Sequence, residues 1–584
     1  MSAMQTAAND AAVGAQHLHA RARHSEVPSK RDPALLMQPP RLAALQPSRL
    51  SASRALMAQA IRERWAIERL DWNIDAKSRG TALYRITTSG GIFDFPVYSF
   101  EYKSEGRTGR IIGRAWDMMG ALIEGPATTA EIEQTGQELP KLYQGRATPK
   151  TLIWCRANRS SRAFDHTVAA LAAGRQPDLS EIAQVGYLMR NTGLDGNGTF
   201  GTRSFRALEP EHVLARPLAA QMLCAYMMRV FAVDLVHHLA RAQSPDAVEL
   251  DPRLQRYIGV GNGSALGLVL FVNNHPHLID RWLHAREEAI VAAKSIRGAA
   301  AGPALRRLRQ LVARAITFRD QDRMEYEAFA PSDEIAAELR IVRDAIDAML
   351  ADPGLVHIEH PVGTLCDRLE PVVHAETMET VLALAIELVP DAADALGRTL
   401  AVDEEFTTRP AMSAAELRRI LHDEYGWAMT MDVESPAARR HVWYKSENAE
   451  EPRRGPWEEV EWAYNLGLDL PRLVQELDRA LADTPPATSI ARFLMSEPRF
   501  RSIVARVQTL AGHAYHSPHM NIMSDDFVPV HIVRLMNVAI HGIDKTRDFL
   551  GRNIRGVLFH GAPTPADLIA GADPDWFYPE EPTL

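Results

Sequence analysis

Two Gly/Asn-rich polar segments that interrupt apolar sequence constrain this 584-residue chain most: Asn191-Thr-Gly-Leu-Asp-Gly-Asn-Gly-Thr-Phe-Gly201, and Gly259-Val-Gly-Asn-Gly-Ser-Ala-Leu-Gly267 with the following Asn273-Asn-His-Pro276. Backbone and amide groups set among apolar runs must be satisfied by one another, by water or by a ligand, so a site is expected at these loops. Glycines let backbone amides approach a bound group, and Asn197, Asn262, Asn273 and Asn274 supply both donors and acceptors. Pro276 after His275 starts a helix whose first-turn amides are free for an anion, which makes His275 a candidate catalytic residue. Asn and Gly are equally the ordinary material of turns and caps. Neither segment carries a nucleotide fingerprint, because Gly259-Val-Gly-Asn-Gly lacks the third glycine of a dinucleotide loop and the lysine of a phosphate loop. The start Asp195-Gly-Asn-Gly-Thr resembles a calcium loop only until Phe200 and Arg206, which stand where glycine and glutamate are required.

A net charge of -9 gives no general attraction to nucleic acid or to an anionic membrane, and 46% hydrophobic with 24% charged residues is an ordinary globular balance. Cys155, Cys224 and Cys366 are far apart and form no CxxC pair, so a disulfide framework is unsupported and a reducing, cytoplasmic setting fits best. No apolar run approaches the roughly 18 residues that a spanning helix needs, and the N-terminus has no secretory apolar core. Residues 1–55, with Pro28, Pro33, Pro39, Pro40 and Pro47, are expected to stay a disordered tail.

Residues 56–150 read as an α+β segment, 151–350 as a helical core bearing the Gly/Asn loops, and 351–584 as a C-terminal helical region. Leu83 to Lys103 forms two strands around Ser89-Gly90-Gly91, and Pro96 pushes the second toward an edge or a bulge. Helices are expected over Arg107 to Glu124, Thr151 to Ala173, Glu211 to Arg241 and Pro529 to Leu550, among others. The fold class is therefore mainly α, a large multi-helix body with a small antiparallel β element near residues 81–103.

Arginine forks suit carboxylate or phosphate. Arg156, Arg159 and Arg162 fall on one side of an expected helix, and Arg190 precedes the first Gly/Asn loop. The spacing HxxHxxH in His513, His516 and His519, with Asp525 and Asp526 following, suggests zinc or iron, although Pro518 breaks the helix within the set. On the helix expected after Pro529, Arg534, Asn537, His541, Asp544 and Asp548 form one narrow polar stripe; His541 and Asp544 would act as acid/base and orienting carboxylate, with Arg534 on the substrate. Asp234 and His238, one helical turn apart, read as a satisfied core pair.

These readings converge on a soluble enzyme using polar acid–base chemistry, of lyase or hydrolase type, on a small anionic metabolite. The catalytic candidates are His541, Asp544 and His275, and the substrate contacts are Asn197, Asn262, Asn273, Asn274, Arg159, Arg190 and Arg534. Two alternatives stand beside it: a His/carboxylate metal-dependent oxidoreductase, and a non-catalytic helical binding or scaffold protein. A homo-oligomer is compatible with all three.

Overall fold

The computed structural model describes residues 27–101, 116–139, 150–160, 162–196, 208–262, 276–321, 330–400, 406–433, 466–515, 535–548, 554–571 and 575–584. Helices make up most of it, but the small antiparallel element near 81–103 is a misreading. Nine strands form one mixed sheet in the order β1-β2-β3-β4-β5-β6-β7-β9-β8. Their ranges are β1 Ala66–Ile74, β2 Gly80–Thr88, β3 Gly91–Ser99, β4 Met118–Glu124, β5 Thr151–Arg159, β6 Tyr187–Gly196, β7 Gly259–Asn262, β8 Lys545–Asp548 and β9 Ile554–Leu558. Among the described strands only β6 and β7 pair in parallel.

The β2–β3 hairpin forms where Ser89-Gly90-Gly91 places it, with the Thr88 hydroxyl donating to the Gly91 carbonyl at 2.8 Å. Pro96 is not at an edge. It lies in an interior strand, and the β3–β4 ladder skips Phe95 and Pro96 while holding one register from Asp94↔Ile123 to Val97↔Gly120, so the missing N–H falls in a gap.

Strands β4 and β5 occupy stretches expected to be helical because both of their faces are buried. Met118 and Leu122 of β4, with Ile153 and Cys155 of β5, enter a large core on one face of the sheet. Met119, Ala121, Ile123 and Trp154 enter a smaller one with Leu139 on the other. A strand buried on two faces has no polar alternation and reads as a continuous apolar run. Arg156 and Arg159 therefore belong to a strand, not to a helix shared with Arg162.

The Gly/Asn segments are strands where they are described. Glycine is required at Gly261 because a Cβ there would stand 2.8 Å from the Tyr187 ring, and at Gly259 because it would stand 2.3 Å from the Leu558 carbonyl oxygen. Much of the glycine content thus serves close strand packing rather than a ligand.

Helix α1 (Ala52–Arg62) and the 25-residue α2 (Ala219–Gln243) pack on the sheet. Helix α2 is long and apolar enough to cross a membrane, yet 83% of its most apolar window is buried inside the protein. Within it Asp234 accepts from the Tyr84 hydroxyl at 2.8 Å and pairs with Arg69 at 3.2 Å, so it is not held by His238. A second core joins α3 (Pro276–Lys294), α4 (Ala301–Gln321), α5 (Ser332–Ala351), α6 (Ala375–Ile386) and α7 (Pro390–Thr399). A third, separate core holds the four α-helices described between Ala414 and Leu510.

Two expectations about the chain ends are also revised. Residues 33–44, inside the stretch expected to be disordered, form two short helices whose Leu36, Leu42 and Leu45 enter the second core. The region 351–584 is not wholly helical, because β8 and β9 return from it to complete the sheet.

Candidate functional site

Helix α1 lies on the seam between the sheet core and the helical core: Leu56, Met57, Ala60 and Ile61 belong to the first, and Ala52 packs against both. Two serines at its start fasten a π-helical turn, Leu535–His541, across that seam. The Ser51 hydroxyl donates to the Ala539 carbonyl at 2.5 Å and the Ser53 hydroxyl to the Gly542 carbonyl at 3.3 Å. Gly542 has φ +90°, and a Cβ there would meet the Ser53 oxygen at 2.3 Å. The chain turns at that glycine, closed by the Ile543 amide on the Asn537 carbonyl at 3.0 Å, and delivers Asp544 to the interior.

The wider π turn abolishes the helical stripe expected for this segment. Asp548 lies on strand β8, and Arg534 lies outside the described residues. His541 and Asp544 are both buried but are not a dyad. Among the described residues no hydrogen bond joins them, and burial alone pushes the His541 imidazole down to about 4. Its Nδ1 has no hydrogen-bond partner among the described residues.

Asp544 instead accepts from the buried Arg54 guanidinium, which lies 4.0 Å from the Phe577 ring. Burial raises the Asp544 carboxyl, opposed by Arg54, Arg314 and Arg319. Glu387, at the C-terminal end of α6, reaches the same seam: burial pushes it up to about 7 against Arg54 and Arg49, and its Oε1 has no described partner. The Tyr578 hydroxyl is held up at about 12 by burial beside Arg319 and Arg54. The seam thus concentrates buried polar groups of which several atoms lack a partner among the described residues.

Other candidates fall elsewhere. Arg159 is buried on β5, its amide donating to Asp117 at 2.9 Å and its guanidinium donating to Ser78 and stacking 4.5 Å from Phe164. Arg190 is buried on β6, opposite Asn158 and Gly261 in register. Asn262 pairs in register with Asn191, so the two Gly/Asn segments meet as neighbouring strands, away from a common loop. His513 packs its ring 5.0 Å from that of His277. Asn197, Asn273, Asn274, His275, His516 and His519 lie outside the described residues. Among the described residues no group of three or more His, Cys, Asp or Glu is placed to hold a metal ion.

Sequence reading missed Arg54 and Glu387. The one signal for Arg54 is a guanidinium within the apolar run Ala55-Leu-Met-Ala that follows Ser53, and Glu387 closes an apolar helix in the same way. No family model, no curated protein and no solved structure matches this chain, so the seam is read from its own chemistry.

Proposed function

We propose that this protein is an enzyme of lyase or hydrolase type that uses polar acid–base chemistry on a small anionic metabolite, with His541 carrying the proton. One observation supports this above the others: a buried imidazole, kept neutral by loss of water, whose Nδ1 has no partner among the described residues. With a pKa of about 4 the His541 ring stays neutral at physiological pH and offers an unprotonated nitrogen to a substrate proton, and an unpartnered ring nitrogen in a buried interior is a cost that packing alone does not repay. Arg54, Arg314 and Arg319, which oppose the upward shift of the Asp544 carboxyl, are the guanidinium groups at the seam that would meet an anionic substrate. We place the protein in the cytoplasm on its three free, buried cysteines.

The test is to follow a panel of small carboxylates and phosphate esters by proton NMR with wild-type protein and His541→Gln. At least one compound should be consumed by the wild type, with the rate falling at least about 100-fold in the variant while its circular dichroism stays unchanged. If neither protein consumes any of them, or both do so equally, the acid–base reading fails and a non-catalytic binding or scaffold role replaces it.

A further inference from the structure

The face of α1 that carries Ala52, Ala55, Leu56 and Gln59 lines a cleft of about 30 Å³. That is room for roughly two water molecules, or for a ligand of a few heavy atoms. Most of its wall is apolar, including Leu278, Leu400 and Ile540, and Arg216 is the only charged residue on it among the described residues.

Among the described residues Arg216 is short of a carboxylate. Its guanidinium donates to the Asp394 backbone carbonyl at 3.2 Å, while the Asp394 side chain is already taken by Arg49 at 2.8 and 3.0 Å and by Arg62 at 2.8 Å. Burial pulls Arg216 down to about 10, and Arg398, Arg62 and Arg49 push the same way against Asp394 alone. Gly397 makes room for it: a Cβ there would lie 2.0 Å from the Arg216 Nη2.

A further donor lies at this cleft. Trp282 lines it at 2% exposure, and its indole N–H has no acceptor among the described residues. Helix α2 also starts there at Ala219, after Leu218 in the left-handed region at φ +65°, but the Ala219 amide already donates to the Arg216 carbonyl at 3.1 Å. A donor-only indole and a guanidinium with no carboxylate of its own among the described residues both lack the same thing, an acceptor that carries negative charge.

We propose that the cleft lined by Arg216, Trp282 and Ala219 binds a short-chain carboxylate of formate or acetate size, its oxygens on the Arg216 fork and the Trp282 N–H and any alkyl end against Leu278 and Ile540. The planar carboxylate matches the guanidinium fork, and the small volume and apolar wall disfavour a tetrahedral dianion. The inference shares with the proposed function only the anionic character of the ligand and does not require His541.

The experiment is line broadening of 13C-acetate and 13C-formate, with phosphate as comparison, on the full chain. Wild-type protein should show saturable broadening that formate and acetate compete for and phosphate does not. Arg216→Gln should weaken binding at least tenfold, Trp282→Phe several-fold, and His541→Gln not at all. If Arg216→Gln loses its native circular dichroism, Arg216→Lys, which keeps the charge without the fork, should still weaken acetate binding several-fold. Absence of saturable binding in the wild type, equal affinity in a folded Arg216 variant, or preference for phosphate would each overturn the proposal. Acetate binding that survives in His541→Gln, while the wild-type protein turns over no compound of the panel, would retire the acid–base reading and leave this site standing.

Discussion

Glu379 and Glu387 lie about two turns apart, one within α6 and the other at its end, and both carboxyls are buried, yet their pKa values move in opposite directions. Burial pushes Glu379 up, but Arg31, Arg286 and Arg41 outweigh it and hold the group down at about 2. Arg31 approaches at 2.5 Å, Arg286 at 2.7 Å and Arg41 at 3.4 Å, and Glu287 takes the second side of Arg31 at 2.6 Å. At Glu387 burial prevails, and the carboxyl rises to about 7. Burial is common to both, so the supply of guanidinium groups decides the outcome. The first region is a closed ionic clamp that fastens residues 31–41 onto α3 and α6; the second leaves polar atoms open on the seam.

The largest effect should come from breaking the clamp. Glu379→Gln removes the charge that three arginines share and leaves them buried without it, so stability at neutral pH should fall by about 3–5 kcal/mol in denaturant unfolding. Because this carboxyl is depressed, its contribution is present above about pH 4.5 and is lost as pH falls toward 2. A loss below about 1 kcal/mol would show that the clamp is not closed and would erase the contrast.

On the seam, acid should be the sensitive direction for His541. Its folded pKa of about 4 lies below the unfolded value near 6.5, so the unfolded chain binds the extra proton and stability declines as pH falls from 6.5 to 4. The histidine's share of that decline is about 3 kcal/mol, and His541→Gln should flatten the slope in this window. An NMR titration showing the ring to ionise near pH 6.5 in the folded protein would contradict its burial.

Glu387 should give the smaller response with the opposite sign. Its raised pKa means that the folded state keeps the proton longer, so its penalty is absent below about pH 4.5 and grows as pH rises through 7. Glu387→Gln should therefore be neutral at pH 4 and stabilising at pH 8, by at most about 3 kcal/mol, a figure that already includes the opposing pull of Arg49 and Arg54. Destabilisation at pH 8 would place Glu387 in a clamp like that of Glu379.

The sequence alone determined the elements whose signals are local. Ser89-Gly90-Gly91 between alternating runs specified the β2–β3 hairpin, and the helices at Ser332–Ala351 and Ala414–Met429 follow from their apolar spacing, the second also from the Ser413 side chain that caps it. It also marked His541 and Asp544 as polar residues in an apolar setting, and both are buried at the seam. Only the tertiary structure decided the rest. Strands β4 and β5 lose their period-2 signature because two cores close on them from opposite sides, and a pattern that exists only to match solvent on one face disappears when neither face is wet. The π turn at Leu535–His541 was equally invisible, since Ser51 and Ser53, hundreds of residues away in the chain, fasten it and thereby separate His541 from Asp544. The charge states of Glu379, Glu387 and Arg216 depend on which arginines arrive from distant segments, and no spacing within one helix encodes that arrival.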